Sequence, residues 1–260
     1  MKDNRLILDR YKDYEDRVLV NELLEYVKAC SSGYALRHTD FLDPRQQKIA
    51  EDILGMHKSI YYAFFGGITD SERAVCVICD ENYKLTEEDI PITILSITWN
   101  KSSRKLSHRD FLGSILGCGI KREKVGDIIF DECRAYIACM SDISKYLLYN
   151  LSKVGSVAVS VSETETAQKT EEKVKIITST VASLRLDSLI ATGYGVSRAK
   201  AAETVKSGKV KVNWEDTSGS SKEMKQGDVI SIRGRGRVVL EEVSGTTKKD
   251  RIKIMIKKYL

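Results

Sequence analysis

The chain has no apolar run approaching the roughly 18 residues that a membrane-spanning helix needs, which argues against a helical span. Its opening, MKDNRLILDRYKDYEDR, lacks the apolar core of a secretion signal, so a cytoplasmic protein with no membrane partner is expected. Histidine is scarce. His38, His57 and His108 lie far apart, and none has neighbours that complete a nucleophilic or metal-binding constellation. Cysteine is missing from the last third altogether; Cys30, Cys76, Cys79, Cys118, Cys133 and Cys139 suit a reducing compartment, where thiols pack as small apolar groups. Cys76-x-x-Cys79 sits in an apolar, strand-like run without the second ligand pair that a zinc site requires, so no metal is expected. No strand-loop-helix carries a glycine-rich nucleotide or adenosylmethionine site, no adenylate-forming motif is present, and nothing repeats at a solenoid period. No cofactor is expected either.

What the sequence does have is an uneven distribution of charge. The whole chain carries 42 basic and 37 acidic residues, for a net charge of +5. Residues 173–260 hold 19 of the basic and 9 of the acidic residues, a surplus of ten, while the 172 before them hold 23 against 28, a deficit of five. A basic module on a mildly acidic body points to a polyanion, nucleic acid before a membrane surface. With 42% apolar residues there is enough to give two or three domains packed cores.

The pattern predicts an α+β protein. Residues 1–88 read as an N-terminal α+β unit: a helix with Leu19, Leu23, Leu24 and Val27 at helical spacing, a second helix capped by Asp43 and started by Pro44, then two strand-like runs around Gly66 and Gly67. Residues 89–162 read as β-α-β-β-α-β, a ferredoxin-like plait, ending in the alternating strand SVAVSVS. Many such plaits bind RNA through aromatics on the open sheet face, yet the central strands offer only Phe130 and Tyr136. Residues 163–172, polar and acidic, read as a linker. Residues 173–260 read as a basic module with two helices, the first ending at Gly193, and a short antiparallel sheet. A monomer is expected.

On a helical wheel the stretch SRAKAAETVKSG places Ala199, Ala201, Ala202 and Val205 on one packed arc and turns Lys200 outward, with Ser197 as N-cap. Arg198 falls on the packed side, so its guanidinium must pass beyond the helix end, to a phosphate or to Asp187. Arg185, Arg198 and Lys200 are expected along one rim, and Lys206, Lys209 and Lys211 near the helix exit. In ISIRGRGRVVL a continued strand places Arg233, Arg235 and Arg237 on one face, a row that repels itself without an anion. A second basic cluster, His108, Arg109, Lys121, Arg122 and Lys124, is either a further RNA surface or a solvated face.

The ordered motifs RLD, SRAKA, the glycine-terminated helix, VKVN, GDVI and RG closely resemble the RNA-binding module named after small-subunit ribosomal protein four. That resemblance implies a helix pair laid on structured RNA, with contacts at Arg185, Ser197, Arg198, Lys200, Lys206 and Arg233 and a structural role for Asp187. Trp214 departs from it, since glycine usually follows V-N. Upstream, TDFLDPRQQ, FFGGITDSER and SHRDFLGSILGCGIKREKVGDIIF resemble the YlmH family of ribosome-associated proteins. The family implies a non-enzymatic protein whose partners are ribosomal RNA and tRNA on the large ribosomal subunit, acting in rescue of stalled nascent chains. The rival expectation is an RNA-modifying enzyme, a pseudouridine synthase or methyltransferase, docked by the same module; RLDSLIATG superficially resembles a pseudouridine synthase catalytic run but lacks its continuation.

Overall fold

The computed structural model describes residues 7–33, 36–167 and 174–259, and the chain divides into two compact units, 1–170 and 171–260. Of the expected linker, residues 168–172 lie outside the described residues, while 163 and 164 complete a strand.

In the first unit, helix α1 (Tyr14–Ser31) starts where the Asp13 carboxylate accepts the N–H groups of Glu15 and Asp16. Its buried stripe, Leu19, Val20, Leu23, Leu24, Val27 and Cys30, follows the helical repeat. β1 (Arg37–Leu42) leads into α2 (Pro44–Leu54), where Asp43 and Gln46 cap each other reciprocally. β2 (Ile60–Phe65) and β3 (Ala74–Asp80) complete an antiparallel sheet in the order β1-β3-β2. Cys76 and Ile78 face the helices, in a cluster with Leu23 and Ile53, whereas Val75 and Val77 face the opposite way. Strand alternation therefore puts Cys79 on the face away from Cys76, and the two thiols cannot share one ion.

The plait follows: β4 (Ile92–Thr98), α3 (His108–Gly117), β5 (Val125–Phe130), β6 (Arg134–Met140) and α4 (Ser141–Asn150). A small hairpin of β7 (Lys153–Val154) and β8 (Val157–Ala158) precedes β9 (Ser160–Thr164), so SVAVSVS is two strands rather than one. The sheet runs β5-β6-β4-β9, antiparallel throughout, which is the ferredoxin-like order. Both helices lie on one face, around Leu95, Ile97, Phe111, Ile115, Ile137 and Leu147.

The other sheet face is not open. Tyr136, Ala138 and Met140 pack there against Phe41, Ile68, Val75 and Val77 of the preceding α+β element, and Phe130 packs toward the helices. Phe130 and Tyr136, too few on sequence to make a convincing RNA platform, thus pack inward, Tyr136 buried and Phe130 half-buried. The fastening is specific. β5 bulges at Gly126 and Asp127, and a Cβ on Gly126 would stand 2.5 Å from the ring of Phe41. The Asp127 carboxylate accepts the backbone N–H groups of Glu72 at 2.5 Å and Arg73 at 3.4 Å. Arg73 donates to the Phe41 carbonyl, and the Gln47 amide donates to the carbonyls of Leu42 and Glu72 at 3.0 and 2.6 Å. TDFLDPRQQ, FFGGITDSER and KVGDIIF meet at this hub.

The second unit contains β10 (Val174–Val181), α5 (Leu186–Tyr194), α6 (Arg198–Lys206), β11 (Val210–Val212), β12 (Glu215–Asp216), β13 (Val229–Ile232), β14 (Gly236–Thr246) and β15 (Ile252–Tyr259). The sheet has six antiparallel strands, β10-β15-β14-β13-β11-β12, and is longer than the sequence suggests because β15 pairs with β10 along its whole length. Both helices cover one sheet face around Leu189, Ile190, Val205, Ile230, Val238 and Ile256. α5 does not end at Gly193. It continues to Tyr194 and stops at Gly195, whose φ of 66° is the left-handed cap. Gly193 instead lets helix and sheet approach, since a Cβ there would meet Val238 at 3.2 Å.

Candidate nucleic-acid interface

The start of each helix in the second unit carries an arginine, and one carboxylate holds both. Asp187, with its side chain 8% exposed, accepts from Arg185 at 3.1 and 3.3 Å, from Arg198 at 3.1 and 3.2 Å, and from the Ser188 hydroxyl at 3.3 Å. Burial alone would raise its pKa, but the hydrogen bonds from Arg185 and Arg198 prevail and hold the carboxyl below the usual carboxylate range. A single negative charge balances one guanidinium, not two. Arg185 and Arg198 remain 40% and 55% exposed, so the trio presents fixed, net positive charge to solvent. The same contacts occupy both carboxylate oxygens, which leaves Asp187 ill placed to attack a substrate.

Ser197 caps α6 through its hydroxyl, which accepts the Lys200 N–H at 3.2 Å. Lys200 pairs with Glu203 at 2.9 Å, an exposed contact one turn apart. Such pairs contribute little and exchange readily for a phosphate.

The arginine row is not a row. β13 ends at Ile232, the chain reverses through Arg233, Gly234 and Arg235, and β14 starts at Gly236. The glycines, at φ 79° and 76°, close the turn that the alternating pattern suggested was a continuing strand. Arg233 and Arg235 are therefore exposed at a hairpin tip. The Arg233 N–H donates to the Lys209 carbonyl at 2.9 Å, joining that tip to the turn that follows α6. Lys206, Lys209, Arg233 and Arg235 thereby gather at one end of the unit. All four are exposed, and no carboxylate among the described residues pairs with any of them.

Lys211 and Arg237 leave this group. The neighbours of Lys211, Val210 and Val212, are buried, as is Val238 beside Arg237, so alternation turns both cations onto the outer sheet face. Arg237 lies over the Tyr259 ring at 4.0 Å, and Lys211 is 3.9 Å from Asp216. The expected single surface is thus two: a helical side with its basic end, and the outer face of the sheet.

In the first unit, His108, Arg109 and Lys121 are exposed, but Arg122 and Lys124 turn into the hub. Arg122 donates to the carbonyls of Val125 and Gly126, and burial pushes its pKa down to about 10. Lys124 bridges Asp40 and Asp142, both at 2.9 Å. These two are structural, which corrects their place in the second basic cluster. Sequence reading also missed the junction of Lys209 with Arg233; its signal was the paired glycines flanking Arg235. Among the described residues no group of three His, Cys, Asp or Glu side chains is placed to hold a metal, and no helix is long and apolar enough to cross a membrane.

Comparison with known proteins agrees with this division. Residues 86–168 match the family described as "Putative RNA-binding domain in YlmH", and residues 184–230 match the S4 domain. The chain is 33% identical over 242 residues to "Ribosome-associated protein quality control protein P2" of Bacillus subtilis (strain 168), covering 92% of this chain and 94% of that one. Among solved structures it resembles "Cell division protein ylmH from Streptococcus pneumoniae", with a TM-score of 0.50 and 25% identity, over 59% of this chain and 93% of that one. The first match spans the plait and the second spans the helix pair with its arginine-held Asp187.

Proposed function

The chain belongs to the YlmH family of ribosome-associated RNA-binding proteins, and from that premise we propose that it is a non-enzymatic, cytoplasmic, monomeric protein that binds the large ribosomal subunit carrying tRNA and assists the rescue of stalled translation. The observation that supports this most is the end cluster of Lys206, Lys209, Arg233 and Arg235, four exposed cations without a carboxylate partner among the described residues. Phosphates are their natural counterions, and their binding releases condensed cations from RNA. α6, with nine residues and hence about 13 Å of rise, separates this cluster from the Arg185–Asp187–Arg198 trio, so RNA backbone lying along the helix meets cations at both ends. The Bacillus relative is named for ribosome-associated quality control, and identity over nearly its full length supports the same role here.

Co-sedimentation of the full chain with large ribosomal subunits, with and without bound tRNA, tests the reading across a salt series. Replacing Lys206, Lys209, Arg233 and Arg235 by alanine lowers the slope of log affinity against log salt by about 3 to 4. An unchanged slope removes this end of the unit from the interface. Bound RNA recovered from cells is chemically unaltered if the protein is an adaptor; a modification that disappears in a deletion strain would make it an enzyme instead.

A further inference from the structure

The plait matches an RNA-binding family, yet the sheet face that plaits commonly offer to RNA is closed by Phe41, Val75 and Val77. Its RNA must lie elsewhere, and the exposed side chains indicate where. Within residues 86–167 three large apolar side chains are exposed among those described: Leu116, Tyr146 and Tyr149, all on α3 or α4. Tyr149 is 80% exposed and Tyr146 47%. One turn apart on α4, they share a helix face with Lys145, four residues before Tyr149. The Tyr146 hydroxyl donates to the Cys118 carbonyl at 3.2 Å, which fixes its ring beside the end of α3 and close in sequence to Lys121. Lys153 follows where α4 gives way to β7.

Charge decides what this surface suits. Lys121, Lys145 and Lys153 are exposed, and no carboxylate among the described residues pairs with them. The acid on the same helix face, Asp142, is engaged by Lys124 at 2.9 Å. Protein interfaces are depleted of lysine at their cores, whereas sites for single-stranded nucleic acid combine aromatic faces with surrounding cations. We propose that the helical layer of the plait binds unpaired RNA, with bases stacking on Tyr149 and Tyr146 and phosphates meeting Lys121, Lys145 and Lys153. This rests on the RNA-binding reading above and assigns the plait a separate face, of different chemistry from the backbone-directed cations of the second unit. Tyr149 supplies stacking without a structural duty; Tyr146 does both.

The test uses the full chain with single-stranded RNA carrying 4-thiouridine, irradiated and mapped by peptide mass. Crosslinks to residues 141–153 are expected alongside those in the second unit. Tyr149→Ala lowers affinity for the single strand about tenfold, Tyr149→Phe leaves it within about twofold, and Lys145→Ala lowers the salt slope by about 0.7. Because Tyr149 is so exposed, circular dichroism of the variants matches the parent. Crosslinks confined to residues 174–259, or none at all, would overturn this inference and leave the proposed function standing, which falls instead if the full chain fails to co-sediment with large ribosomal subunits. Unchanged affinity of Tyr149→Ala would mean that the layer meets a protein, or nothing.

Discussion

The two units treat their arginines in opposite ways. In the first, Arg73 and Arg122 are drawn inward, donating to the carbonyls of Phe41, Val125 and Gly126, and burial lowers the pKa of each. In the second, Arg185 and Arg198 stay at the surface and share one buried carboxylate. A guanidinium placed where backbone carbonyls lack partners becomes a rivet between sheets, because an unpaired buried acceptor is costly. Placed at a helix start beside a single aspartate, it becomes an aimed cation. Counting positive residues cannot separate these fates; the supply of acceptors around each one does.

The contrast can be broken experimentally, most forcefully at the hub. Gly126→Ala drives a methyl group into the Phe41 ring and lowers the stability of the first unit by about 2 to 3 kcal/mol, read as a fall in its melting temperature, with no change in the salt slope of RNA binding. Asp187→Ala has a smaller effect, about 1 to 2 kcal/mol on the second unit, from lost hydrogen bonds. RNA affinity falls in that variant although net positive charge rises, since the two guanidiniums lose their orientation. Tighter binding would mean that charge alone governs the interface.

Acid titration sharpens the same point. With its folded-state pKa below the unfolded value, Asp187 contributes stability that is fully present above the unfolded carboxylate range and is lost as pH falls through its folded pKa. Melting of the second unit below about pH 4 is therefore less steep in Asp187→Asn than in the parent. The smallest effect on stability is at the tip: Arg233→Ala changes it by less than about 0.5 kcal/mol and lowers the salt slope by about 1, whereas Arg122→Ala does the reverse. A shared outcome for both arginines would erase the distinction between the units.

Much of this was readable in the residues, and the failures have physical causes. The plait announced itself because each strand and helix carries its own period, and Asp43-Pro44 marked a helix start by cap and ring alone. The wheel sent the long Arg198 side chain beyond the helix end and left a phosphate and Asp187 as its candidate partners; the hydrogen bonds to Asp187 are what the fold adds. Which face of a sheet is covered is a long-range property, so nothing local to Tyr136 distinguished an RNA platform from a core. RGRGR failed for another reason: alternation imitates a strand, and only the positive φ of Gly234 and Gly236 shows a reversal. Gly193 and Gly195 are equally good stop signals on paper, and the proximity of Val238 decides between them. Trp214 adopts φ 65° beside Asn213 at 50°, so the position where the family pattern has glycine keeps its left-handed backbone despite an indole.

The ladder between β10 and β15 sets Val174 opposite Tyr259, so the start of the first strand of the second unit and the end of its last strand are neighbours. Trimming the closing strand would strip β10 of its hydrogen-bonding partner and split the sheet between its first strand and β14. The Tyr259 carbonyl also lies 3.7 Å from the place a Cβ on Gly236 would take, and Arg237 covers the Tyr259 ring, so a reporter fused after Tyr259 would crowd the arginine hairpin tip, whereas a short bridge between Val174 and Tyr259 would yield a circular permutant with new ends wherever a loop can be cut.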